Sequence, residues 1–183
     1  MKRLLTTAGL VSMLLGCQSA QFDDPSSEYY RFKDGTKLVI KKEIDIPPGR
    51  TNVWFQYGER RGAGANQFQP FCRFYVYGTP VGERRTVQPG EFSIRRWERA
   101  RRLVWHDGSP LMYASVLIRG AGDGPSHVTW GTWFYLEGGS DPKPRLLMCG
   151  QLGDLSAATS ANGYVSFDQM QETLGSYMTL VEP

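Results

Sequence analysis

Histidine is nearly absent from this 183-residue chain, which has only His106 and His127. There is no His-x-x-x-His pair for zinc and no Gly-x-Ser-x-Gly nucleophile elbow. Ser126 and His127 are adjacent, so on a strand they point to opposite faces and cannot act as nucleophile and base. His106-Asp107-Gly108 reads as a hairpin turn. Gly120, Gly122 and Gly124 lack the lysine and the spacing of a phosphate-binding loop, and read as a glycine-rich turn. Cysteine is scarce too, with three residues, and neither Cys72 nor Cys149 has a second Cys or His at ligand spacing. These absences make an enzyme the minority reading and imply no metal, no cofactor and no evident small-molecule substrate.

Long apolar runs are also missing after the amino terminus. The one at the start, Leu4 to Gly16, carries no charge. It is too short for a transmembrane helix, which needs about 20 residues. Preceded by Lys2 and Arg3, it has the form of a secretory signal. It ends in Leu14-Leu15-Gly16-Cys17, which resembles the lipobox of bacterial lipoprotein precursors. Leu14 matches the branched position, Gly16 the small residue before cleavage and Cys17 the lipid acceptor, while Leu15 is larger than usual at its position. The resemblance covers residues 1–17 and implies a diacylglyceryl group plus an amide-linked acyl chain on Cys17. Two chains meet the requirement for stable anchoring. Gln18, in place of Asp, implies the outer membrane, facing the periplasm, by the sorting rule of enteric bacteria. Residues 1–16 are thus read as signal peptide, 17–27 as a lipidated, flexible tether and 28–183 as one domain.

Net charge is small. The formal +3 includes Lys2 and Arg3, leaving about +1 after processing. An even pair of cysteines in an exported chain reads as a disulfide, so Cys72 and Cys149 are expected to be bonded.

The body alternates with period two in short segments, the signature of strands. Leu38, Ile40, Ile44 and Ile46 form one such run ending at Pro47-Pro48-Gly49; Val53 and Phe55 with Tyr57, and Cys72 with Phe74 and Val76, form others. Phe92 and Ile94 begin a further strand, and Leu103 to Trp105 another. Met112 to Ile118, Val128 to Leu136 and Leu146 to Cys149, the expected last strand, complete the pattern. With 21 glycines and 11 prolines, this predicts a mostly β chain, a single antiparallel β-sandwich or β-barrel. One short C-terminal helix is expected from Phe167 to about Leu174, capped by Ser166 with Gln169 completing a capping box.

Arginine is the unusual abundance. Arg84, Arg85, Arg95, Arg96, Arg99, Arg101 and Arg102 face only Glu83, Glu91 and Glu98 in the same segment. Two readings stay open. One is a patch for an anionic envelope partner, since the guanidinium fork suits carboxylates and phosphates. The other is a solvated strand edge whose charges discourage pairing. The second reading fits if Phe92, Ile94 and Trp97 are the buried residues of an irregular strand. Trp130 and Phe134 should share one face of their strand, and Trp133 and Tyr135 the other, as core or as an exposed platform. The function expected is a non-enzymatic, membrane-anchored accessory or assembly lipoprotein that binds another envelope component. The alternative is a binding module for an anionic glycan, lipid or acidic protein through the arginine segment. Nucleic acid is a poor partner for an exported chain.

Overall fold

The computed structural model describes residues 20–62, 65–78, 82–104, 127–139, 142–154 and 163–183. The signal segment, Cys17, His106, the run Met112 to Ile118 and the turn Gly120 to Pro125 lie outside the described residues.

The chain is mostly β, with a curled antiparallel sheet forming a half-barrel. Its strands are β1 (Lys37–Ile40), β3 (Asn52–Gln56), β4 (Glu59–Arg61), β5 (Phe71–Val76), β7 (Gly90–Val104), β8 (His127–Glu137), β9 (Pro144–Asp154) and β10 (Met178–Val181). Their order across the sheet is β10-β1-β7-β8-β9-β5-β3-β4. A separate ribbon pairs β2 (Ile44–Ile46) with β6 (Arg85–Val87). Among the described residues the helices are α1 (Ala20–Asp23) and α2 (Phe167–Leu174).

One face of the sheet holds the main core. Leu38, Phe55, Phe74, Phe134 and Leu147 are fully buried there, as period-two alternation requires. The ribbon contributes Ile44, Ile46 and Val87, and α2 contributes Met170 and Leu174. Tyr30 and Phe32 fill the same space, with Phe32 edge-on to Phe134 at 4.8 Å and to Trp97 at 5.2 Å between ring centroids. The α2 helix has the expected limits and the expected cap: Gln169 N–H donates to Ser166 Oγ, and Ser166 N–H to Gln169 Oε1. Its end docks on the β3–β4 turn, where Gly58 N–H donates to the Thr173 carbonyl. Gly175, at φ 56°, lies so close to Gly58 that a Cβ would run into its backbone.

Cys72 and Cys149 are bonded, as expected. They are direct register partners on β5 and β9, both fully buried, so the disulfide crosses between neighbouring strands inside the core.

Four expectations are corrected. The run from Leu38 to Ile46 is two strands in two sheets, because Lys41 and Lys42 N–H both turn to the Tyr177 carbonyl and end β1. Its four apolar residues are nonetheless all buried. The separate strands at Phe92 and Leu103 are one strand, β7. Leu146 to Cys149 lies in β9, which is not the last strand, since β10 follows α2 and pairs with β1. The segment expected as flexible coil is folded from Ala20 onward. Arg31 N–H donates to the Phe22 carbonyl, its guanidinium lies 4.4 Å from the Phe22 ring, and Asp168 N–H donates to the Pro25 carbonyl.

Candidate functional site: the outer face of the sheet

Between Ile94 and Arg96 the β7–β8 register shifts by a bulge that leaves Arg95 unpaired. A bulge moves every following side chain to the opposite face. Before it, Phe92 and Ile94 point inward; after it, Trp97 does, packing on the main core. Arg96, Glu98, Ala100 and Arg102 therefore alternate onto the outer face, while Arg99 and Arg101 share the face of Trp97. The irregular strand anticipated from Phe92, Ile94 and Trp97 has this bulge as its cause.

Register partners build the outer face into rows. Trp54, Arg73, Met148, Trp133 and Glu98 are successive partners across β3, β5, β9, β8 and β7. The adjacent row is Asn52, Tyr75, Leu146, Tyr135 and Arg96. Phe71, Trp133 and Met148 form a second, buried apolar cluster, with Trp54, Tyr75 and Tyr135 half-buried around it. The Trp133 indole lies across Gly131, where a Cβ would stand 2.6 Å from the ring. Trp133 is thus core, as the more conservative reading expected, while Tyr135 keeps an exposed part. The two faces divide Trp130 and Phe134 from Trp133 and Tyr135 as the alternation implied.

Arginines lie over these rings. The Arg73 guanidinium carbon is 3.5 Å from the Trp54 centroid, and its Nη1 donates to the Tyr75 hydroxyl. Arg96 sits 4.0 Å over Tyr135 and Arg102 4.8 Å over Trp133. Each such stack is worth about 0.5–1 kcal/mol at an exposed site and more when desolvated. Tyr135 donates to Glu98 Oε1 at 2.7 Å, and this bond, with burial, raises its hydroxyl above the usual tyrosine range. Glu98 also pairs with Arg96 at 3.4 Å, closing a triangle that fixes the guanidinium.

The seven arginines singled out in the sequence do not form one patch. Arg84 pairs with Asp45 at 3.0 Å on the ribbon, and Arg85 donates to the carbonyls of Tyr77 and Arg50. Arg99 Nη2 donates to the Tyr30 carbonyl at 2.6 Å, and burial lowers its basicity. Arg85 and Arg99 thus tie backbone segments together, while Arg84 makes an exposed ion pair. Arg101 lies 5.1 Å from Trp130. Arg95, at the bulge, is 72% exposed and 3.7 Å from Glu137. Only Arg96 and Arg102 share the outer face, joined by Arg73, which the sequence did not single out because it is a lone cation in an apolar strand. Beyond Ser93, β7 is paired with β8 on one side and with no other strand among the described residues.

His127 begins β8, its ring edge-on to Phe68 at 5.1 Å. Among the described residues no three His, Cys, Asp or Glu side chains gather as metal ligands, and no helix is long and apolar enough to cross a membrane. The chain matches no protein-family model, no curated protein and no solved structure.

Proposed function

We propose that this protein is a lipid-anchored, non-enzymatic accessory component of a bacterial cell envelope, held at the outer membrane and facing the periplasm, which binds another envelope component through the outer face of its sheet. The observation that carries this reading is the arrangement of Arg73, Arg96 and Arg102 over Trp54, Tyr135 and Trp133. Arginine and aromatic residues are the types that dominate binding energy at protein interfaces.

Among the described residues, the two end strands of the sheet are poor templates for strand addition. The β10 edge is bonded by the Gln171 side chain, and β4 is a three-residue edge of Glu59, Arg60 and Arg61. The anchor rests on the lipobox. Three Cα steps separate Cys17 from the folded residue Ala20, at most ~11 Å, so a lipid on Cys17 would hold the domain against the bilayer.

The test is site-specific photocrosslinking from Tyr135 and Arg102 in intact cells, with purification from detergent-solubilised envelopes and Cys17→Ser as control. A discrete crosslinked species that requires Cys17 supports the reading. Crosslinks absent from the outer face but present at the ribbon would overturn the surface, and membrane retention of Cys17→Ser would overturn the anchor.

A further inference from the structure

Two bulges meet at one end of the half-barrel. The first leaves Arg95 unpaired in β7. The second lies where the β5–β9 register passes from Tyr75–Leu146 to Val76–Pro144, leaving Arg145 unpaired in β9. The end of β8 runs between them, with Tyr135 opposite both Arg96 and Leu146. Bulges re-aim side chains, and here both re-aimed residues are arginines. Arg145 lies one residue beyond the last β8–β9 pair, Tyr135–Leu146, so its side chain is placed where that ladder opens.

Between the bulges is a recess of about 380 Å³ lined chiefly by Tyr77, Arg95, Arg96, Tyr135, Glu137 and Lys143. Its volume falls within the range of small-ligand pockets, about 300–1,000 Å³. Arg145 lies 5.7 Å from the Tyr77 ring. Three cations, Arg95, Arg96 and Lys143, thus line the recess against one carboxylate, Glu137, with Glu98 paired to Arg96. Arg96 is held in place by Tyr135 and Glu98, so little side-chain freedom is lost when its remaining N–H groups take a ligand. Tyr77 is 49% exposed and offers a ring face at the mouth.

We propose that this recess binds an anionic sugar, its phosphate or carboxylate held by Arg95, Arg96 and Lys143 and its ring laid against Tyr77. The inference rests on the binding reading above and gives it a ligand class. Planar guanidinium groups take either anion in two-pronged fashion, and an exposed tyrosine accepts the apolar face of a pyranose.

The test is calorimetric titration of the full-length protein in non-ionic detergent with glucose 6-phosphate, glucuronate, inorganic phosphate and glucose. Saturable binding of at least one anionic sugar below about 10 mM, without binding of glucose, is expected; the first two probes separate phosphate from carboxylate. The double variant Arg95→Gln/Lys143→Gln should weaken it tenfold or more, with an unchanged circular dichroism spectrum. Tyr77→Ala should weaken the sugar but not inorganic phosphate. No saturable binding of either anionic sugar, equal binding of glucose, or unchanged binding by the double variant would overturn the site. Envelope crosslinks that persist while sugar binding is absent overturn this site alone. Sugar binding that persists while crosslinks are absent overturns only the docking surface.

Discussion

The side-chain amide of Gln171 is bonded to both backbone groups of Leu180. Its Nε2 donates to the Leu180 carbonyl at 2.8 Å, and its Oε1 accepts from the Leu180 N–H at 3.1 Å. Oε1 also accepts from the Thr179 hydroxyl. A helix side chain thereby stands where another strand would pair with β10, and the sheet edge is closed without a barrel being completed.

Gln171→Ala should uncover that edge. Removing both bonds from part-buried groups is expected to cost about 2–3 kcal/mol, read as a lower urea midpoint. Concentration-dependent association in sedimentation should accompany it. An unchanged midpoint with a strictly monomeric variant would refute the assignment.

The Cys72–Cys149 bond closes a loop with a sequence separation of 77 residues. In the chain-entropy model its loss costs about 4–5 kcal/mol. Replacing both cysteines by alanine, or unfolding in the presence of a reducing thiol, should lower stability by that order in denaturant titrations. In the untreated protein neither thiol should react with an alkylating reagent under denaturing conditions.

Gly131 and Gly150 are register partners on β8 and β9 whose missing side chains make room on the outer face. The atoms nearest a Cβ on Gly131 belong to the Trp133 indole, which can lift, whereas one on Gly150 runs into the Trp130 carbonyl oxygen and the Gly131 Cα, both main chain. Gly131→Ala should therefore cost about 1–3 kcal/mol, the range for overpacking, and shift tryptophan fluorescence to the red. Gly150→Ala should be the more damaging of the two. The reverse order in thermal unfolding would contradict this packing.

Tyr30 is buried and donates to Glu182 Oε2 at 2.6 Å. Burial first, and then this bond and the nearby carboxylate, raise its hydroxyl well above the ordinary tyrosine value near 10. A raised folded-state value stabilises the fold fully below the unfolded value and is lost as pH rises through the folded one. Stability should therefore fall with pH from about 10 upward. Tyr30→Phe should flatten this decline while costing about 1 kcal/mol at neutral pH. Urea midpoints between about pH 8 and pH 12 measure both effects.

Local pattern alone determined much of this protein. Alternation at Val53 and Phe55, at Cys72, Phe74 and Val76, and along β8 set which side chains face inward. Ser166 and Gln169 defined α2, because a capping box needs only residues three apart. An inward Cys72 and a two-faced aromatic strand followed from the same parity. Tertiary structure decided what depends on a distant partner. A bulge exists only against the strand it pairs with, so nothing in the sequence set Arg95 apart from the other arginines of its segment, or marked Arg145 at all, until β8 and β5 were set beside them. The first bulge reversed parity within β7, hid its continuity and divided that strand's arginines between two faces, while Arg84 and Arg85 lie apart at the ribbon. β10 has four residues and gains its place only by pairing with β1 at the other end of the chain. Arg73 became part of a surface only when β3 brought Trp54 beneath it.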